Sequence, residues 1–459
     1  MSQGIRRPHQ AVDMDEVARL FPPPPEYYES AWYDDAETIE RKQLSRLRNR
    51  LIQGAQTPFH AERWHKAGFD PRAATNLGVL DDIPVYDVDD LRASIERHPP
   101  WGDYQAVTPE LALREPMRVF MSGGTTGASR PTFYTQWDRE VGAILMARAL
   151  YMQGLRPGDT VLNSWSYGMH NGAFGFDEAL YRWLNCVVLT TSTGSVTSSE
   201  KQVRLAIEYG ATAILTTGDY LLRLAEVAET MGVAPTDLPI RALPNIGDRA
   251  VLENTFGIEV FDSYGIHEVQ WVAVECTAHD GLHIFEDAFI VQIVDPDTGA
   301  PLPDGETGSI VLTELYKTGS AQIRYNTMDL SYLHPRERCA CGSWLRRIGR
   351  FAGRGDNMVK LRGINVWPEA VGAILVEDDD VAGDWFVRAV RHENRDDLIA
   401  MVTTTLGTPD RQAFVERLES VLQQRLGVKV AVEAVDPGEL DPFTEVDRSP
   451  KLKRFRDDR

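Results

Sequence analysis

Residues 122–127 read S-G-G-T-T-G, three glycines and two threonines in six positions, directly after the mostly apolar run 117–121. Glycines let the backbone approach a ligand closely and turn its N–H groups inward, and threonine hydroxyls add donors at the same place. That chemistry suits a phosphate cradle. It is not the loop of a P-loop NTPase, because Gly127 is followed by Ala128, Ser129, Arg130 and Pro131 with no lysine. Residues 132–135 read as a second strand, with a helix starting only at about Asp138. The loop is therefore expected to join two strands and lie over a ligand as a flap. The plainer reading of such composition is a flexible surface turn.

A second group of residues points to a metal. Cys339 and Cys341 form a C-x-C-G turn, and Cys276 stands in C-T-A-H-D-G-L-H with His279 and His283. Three thiolates and one imidazole suit tetrahedral zinc, with His279 and His283 both open as the fourth ligand. The spacing is not that of a standard two-knuckle site, and reduced cysteines in a core are the alternative. Cys186, in N-C-V-V, reads as buried and inert.

These residues need a scaffold. A chain of 459 residues is expected to form two or three domains. No apolar run is long enough to span a bilayer, and residues 1–8 lack the apolar stretch of a signal peptide, so a cytoplasmic location is expected. A formal charge of −20 argues against a general nucleic-acid binder but allows an anionic ligand in a local basic pocket.

Residues 1 to 115 read as helical and polar, broken early by the prolines at 22–25. Apolar residues 141, 144, 145, 149 and 152 mark a helix whose stripe Arg148 interrupts. Residues 160–163 read as a strand. A capping box at 197–200 opens a helix to Gly210, a strand follows at 211–216 and a helix at 220–231. This rhythm implies an α/β fold with a largely parallel sheet and crossover helices. From residue 284 the style changes to strands at 284–294, 309–315 and 322–325, a smaller β subdomain. The last hundred residues read as a compact α+β unit. Strands 385–392 and 398–404 flank a turn at 393–397, followed by a helix at 411–426 and a strand at 428–435.

Further motifs line up along the chain. They are S-Y-G-I-H-E at 263–268, G-E-T-G at 305–308, I-R-Y-N-T-M-D at 323–329, G-R-G-D-N-M at 353–358 and R-G-I-N-V-W-P at 362–368, with Lys451 in a basic tail. In this order they resemble the acyl-adenylate-forming superfamily, and within it the phenylacetate–coenzyme A ligase branch. Cys276, G-L-H-I at 281–284 and the C-x-C-G turn also resemble that branch, which favours Cys276, His283, Cys339 and Cys341 as a structural zinc set.

The resemblance implies a large multi-subdomain adenylation domain at 1–355, sheets flanked by helices plus a small β subdomain. A small mobile α+β domain at 356–459 would turn about Asp356. It implies ATP, Mg²⁺ and coenzyme A. Ser122, Gly123, Gly124, Thr125, Thr126 and Gly127 would hold phosphates, with Thr126 catalytic. Tyr264, with Gly265, offers a flat face to adenine. Glu268 is a hard oxygen ligand for Mg²⁺. Asp329 accepts from the ribose hydroxyls, and Arg354 lies at the join of the domains. Lys451, with Lys453 its rival, would neutralise charge on the attacking carboxylate and the α-phosphate. By itself that tail reads as a frayed, solvated end.

The acid pocket is expected from Trp165, Tyr167, Gly168, His170, Phe174 and Ser263, whose aromatic surface suggests an aryl or arylacetic acid. The implied reaction is formation of an acyl-adenylate and transfer to coenzyme A. The alternatives are an amine, a carrier protein or an activated oxyanion such as nitrite, or a zinc-stabilised nucleotide-binding protein without turnover. Dimers are common in that branch, which is compatible with a homodimer; no nucleic-acid or membrane partner is implied.

Two departures stand out. The phosphate loop of the family runs G-T-T-G-K-P, whereas here it is G-T-T-G-A-S-R-P, so either Arg130 supplies the charge or the loop is longer and looser. The family's glycine-glutamate-proline segment before Y-G is replaced by a shortened N-I-G-D-R at 245–249.

Overall fold

The computed structural model describes residues 11–106, 111, 115–122, 130–245, 249–355, 359–362, 364–392, 395–444 and 452–459. The chain divides into two compact units. One comprises Met1–Thr327 with Tyr332–Arg350, the other Met328–Ser331 with Phe351–Arg459.

In the first unit, the strands Val187–Thr190, Thr160–Asn163 and Ala213–Leu215 form a parallel sheet with Thr160–Asn163 in the middle. Helix Ser199–Glu208 lies between Val187–Thr190 and Ala213–Leu215 in sequence, and helix Gly218–Thr230 follows Ala213–Leu215. A parallel bridge from Ala213 to Ala242 leads to a second sheet. There Leu243–Asn245 pairs in parallel with Val260–Ile266, and Gln270–Glu275, Leu282–Ile284 and Arg347–Ile348 continue antiparallel. The expected α/β rhythm is present. Its β-rich continuation begins with Phe289–Val294 against Gly308–Glu314.

Several details differ from the sequence reading, each for a physical reason. The expected strand 284–294 is two strands, Leu282–Ile284 and Phe289–Val294. The break is a turn in which Ala288 N–H donates to Phe285 O, and it presents Asp287 to Arg148. The strand expected at 322–325 starts instead at Tyr325 and runs to Ser331. Arg324 has φ 57° and aims its guanidinium at the carbonyls of Leu80 and Ile83, so the chain kinks there. Helix Ser199–Glu208 is capped by Ser198, not Thr197: the Ser198 hydroxyl accepts from Lys201 N–H and no glutamate answers.

Helix Gln136–Met152 is the axis of the first unit. A capping box of Thr135 and Asp138 opens it, two residues before the expected start. Every residue from Asp138 to Leu150 is buried, so it has no single apolar stripe. Its buried charges are paired. Glu140 meets Arg182 at 2.6 Å, and Arg148 makes a bidentate pair with Asp287 at 2.9 and 3.0 Å while lying 3.6 Å over the Tyr27 ring.

In the second unit, Trp385–His392 and Arg395–Thr403 form an antiparallel pair, and the second strand begins three residues before the expected start at 398. Ala431–Val435 joins Arg395–Thr403 in parallel, and Phe455–Asp457 joins Trp385–His392 in parallel. Helix Thr408–Leu426 places Phe414, Leu418 and Leu422 in a core with Val387, Leu398 and Val430. Each such side chain contributes about 1.5–3 kcal/mol by leaving water. The basic tail is thus partly a strand rather than wholly a frayed end. No helix among the described residues is long and apolar enough to cross a membrane.

Candidate active site

The glycine/threonine loop is framed by a hairpin, as expected: Met117–Met121 pairs antiparallel with Pro131–Thr135. At its foot, Ser122 N–H donates to Arg130 O at 3.0 Å, and Arg130 N–H donates to the Ser122 hydroxyl at 3.1 Å. Gly123, Gly124, Thr125, Thr126 and Gly127 lie outside the described residues, as do Asp356 and Lys451.

Arg130 does not point into solvent. Its Nη2 donates to Glu268 Oε1 at 3.0 Å, joining the loop's foot to the Y-G-x-x-E motif. Glu268 is buried. Burial alone would raise its pKa, but His267 and Arg130 outweigh it and hold the carboxyl below the usual range. His267 is itself pushed down to about 4, chiefly by burial, and is neutral at pH 7. Arg130 is therefore the charge that keeps Glu268 ionised. A buried carboxylate held in its charged form is a donor suited to a hard divalent cation beside phosphates.

Lys317, the fully buried residue behind Glu268, was not anticipated from the sequence. Its Nζ donates to Glu268 O at 2.7 Å and to Ser320 Oγ at 3.1 Å, and lies 3.8 Å over the Tyr134 ring. Burial pushes its pKa down to about 8. Asp138 fastens the same segment by accepting from Thr318 N–H at 2.6 Å and Gly319 N–H at 2.9 Å.

Tyr264 is buried and donates its hydroxyl to Thr327 Oγ1 at 3.2 Å. Gly265 leaves room for the chain beside it, since a Cβ there would lie 2.4 Å from Gln270 O. Asp329 and Arg354 are opposite each other on paired strands, and Arg354 Nη1 donates to Asp329 Oδ1 at 3.0 Å. Arg324 has a structural position in the kink described above. Lys453 N–H donates to Thr444 O at 2.9 Å.

The expected pocket residues fall into separate groups. Tyr167 packs edge-on against Phe174 at 5.3 Å and donates to Asp177 at 2.7 Å, while Asn163 donates to Tyr167 Oη at 2.8 Å. Phe174 lies beneath the Arg118 guanidinium and beside Phe120. Trp165 instead packs on Phe176, which meets Trp271 edge-on at 5.9 Å. Gly168 and His170 are exposed. Ser263 accepts from Gln153 at 3.3 Å. Sequence reasoning missed Arg139, which is buried between Asn171 and Glu178 and lies over the Phe120 ring at 4.8 Å.

Cys276, His283, Cys339 and Cys341 converge, their ligand atoms all within 4.8 Å of one another. The sulfurs of Cys276 and Cys339 are 3.8 Å apart, and Cys341 Sγ is 3.5 Å from His283 Nε2. Zn–S bonds of about 2.3 Å in a tetrahedron place two sulfurs about 3.8 Å apart, so this donor set fits zinc. His279 is held elsewhere, by Glu259 at 2.8 Å and Glu275 at 3.1 Å. Cys186 is buried apart from the cluster, its thiol pushed up to about 12 by burial.

A parallel-sheet unit, a glycine/threonine hairpin tied to an ionised Y-G-x-x-E glutamate, and an α+β C-terminal unit define an acyl-adenylate-forming enzyme. The family profile described as the AMP-binding enzyme C-terminal domain matches residues 363–459. Phenylacetate-coenzyme A ligase of Pseudomonas putida is 32% identical over 411 residues, 86% of this chain and 90% of that protein. The enzyme of the same name from Thermus thermophilus is 33% identical over 374 residues, 78% of this chain and 81% of that one. Among solved structures, 2-hydroxyisobutyryl-CoA ligase with 2-HIB-AMP, in the postadenylation state, superimposes with a TM-score of 0.82 at 25% identity, covering 92% of this chain and 90% of that chain. The chain belongs to the phenylacetate–coenzyme A ligase family, and is an AMP-forming acid–thiol ligase.

Proposed function

We propose that the acid activated is an arylacetic or aryl carboxylic acid. The observation that carries this is the concentration of aromatic side chains at 165–176, where Tyr167 with Phe174 and Trp165 with Phe176 follow the central strand Thr160–Asn163. That the relatives are phenylacetate-coenzyme A ligases supports the same class. The acid's carboxylate attacks the α-phosphorus of ATP and pyrophosphate leaves. The thiol of coenzyme A then attacks the acyl carbon and AMP leaves.

Residues 122–127 cradle the phosphates, with Thr125 and Thr126 donating, and Arg130 takes the place of the missing loop lysine. Glu268 holds Mg²⁺, whose positive charge, when bound, draws off the negative charge that builds on the phosphate oxygens. Arg130 keeps that carboxylate ionised beforehand. Tyr264 and Gly265 border adenine, and Asp329, steered by Arg354, accepts from the ribose hydroxyls. Lys451 serves the adenylation step. Residues 1–355 and 356–459 act as the two working domains, and Asp356 is the hinge. Cys276, His283, Cys339 and Cys341 hold a structural zinc.

The test is pyrophosphate release with ATP and Mg²⁺ over arylacetic, benzoic and short aliphatic acids, with and without coenzyme A. Turnover that needs coenzyme A and is fastest with an aromatic acid is the expected result. Turnover confined to aliphatic acids contradicts the substrate class, and turnover independent of coenzyme A contradicts the acceptor.

A further inference from the structure

Gln270 stands two residues after Glu268 and is 6% exposed, yet neither atom of its side-chain amide has a hydrogen-bond partner among the described residues. Its backbone is in the left-handed region, φ 66°, which a glutamine adopts only when the surroundings impose it. Two helices leave space for the amide. A Cβ on Gly142 would lie 1.8 Å from Oε1, and a Cβ on Gly175 would lie 2.9 Å from Nε2. Gly142 is in the middle of the buried helix Gln136–Met152, where glycine costs about 1 kcal/mol relative to alanine.

The surroundings are otherwise apolar: Met146 lies against Gly175, and Phe176 packs on Trp271, the residue after Gln270. A buried amide with neither side paired is costly, and its retention calls for a partner that binding supplies.

We infer that Gln270 is a specificity-determining residue that pairs with a hydroxyl on the acid, so that the preferred substrate is a hydroxylated arylacetic acid. This rests on the arylacetate reading above. An amide offers one donor side and one acceptor side, and a hydroxyl answers both. A site built to pair with a hydroxyl discriminates strongly against the analogue that lacks it, because its own polar atoms are then left unpaired.

The experiment compares kcat/KM for phenylacetate and for 2-, 3- and 4-hydroxyphenylacetate in the full-length enzyme, Gln270→Met and Gly142→Ala, read as pyrophosphate release with coenzyme A present. Wild type is expected to favour one hydroxylated isomer over phenylacetate. Gln270→Met keeps the shape and removes the pairing, and is expected to lower that ratio by roughly tenfold to a hundredfold. Gly142→Ala keeps the amide but displaces Oε1, and is expected to move the ratio in the same direction. An unchanged ratio in Gln270→Met overturns the inference. So does a wild type that prefers phenylacetate to all three isomers, which leaves the arylacetate reading standing. A wild type inactive on all four acids overturns that reading and the inference with it.

Discussion

Glu268 and His60 show how burial sets the charge of single residues. Glu268 stays ionised because Arg130, coming from the foot of the phosphate loop, offsets the cost of its burial. His60 has no such partner. It is buried among Phe59, Trp64 and Tyr86, with Nε2 3.0 Å from Ala321 O, and burial pushes its pKa down to about 4. Between pH 6.5 and 4 the unfolded chain takes up a proton here that the folded chain refuses. Stability is therefore present in full above pH 6.5 and falls as the pH is lowered through this window. In His60→Gln that loss is absent. Its thermal midpoint is expected below that of wild type at pH 7, with the gap narrowing towards pH 4.5, by at most about 1.4 kcal/mol per pH unit. A gap that stays constant would contradict the account of His60. Glu268 was legible from its motif, but Arg130's partner was not, since residues 138 apart are joined only by the fold. Lys317 was invisible for the same reason: nothing local separates a buried lysine from an exposed one.

The Cys/His cluster is built at the level of elements. Cys276 follows the strand Gln270–Glu275, His283 lies on Leu282–Ile284, and Cys339 and Cys341 come from the loop before Arg347–Ile348. A metal there would tie two neighbouring strands of one sheet to a loop 63 residues on from Cys276. One zinc per chain is expected by elemental analysis. Cys339→Ser is expected to lose it and to lower the thermal midpoint, a cost on the order of several kcal/mol. Full stability of that variant without metal would contradict a structural role. The ligand types were readable from the sequence. The choice of His283 over His279 came only from the family resemblance, because it depends on the antiparallel register that sets His283 opposite Arg347 and Val274. Helix Gln136–Met152, marked by recurring apolar residues, and the strand Thr160–Asn163 were legible. The break at 285–288 and the kink at Arg324 were not, because each serves a distant partner, Arg148 or the carbonyls of Leu80 and Ile83.

At the scale of the whole molecule, two compact units suit an enzyme that performs two half-reactions in sequence. The ordered motifs made the family legible, while composition alone excluded only broad classes. What the chain does chemically is best tested by a single turnover. The enzyme is mixed with ATP, Mg²⁺ and its preferred acid without coenzyme A, quenched, and its small molecules are weighed by mass spectrometry. A second sample receives coenzyme A before the quench. The expected result is an acyl-adenylate and pyrophosphate in the first sample, converted to acyl-CoA and AMP in the second. An acyl phosphate with ADP, or an adenylate that coenzyme A leaves untouched, would contradict the account.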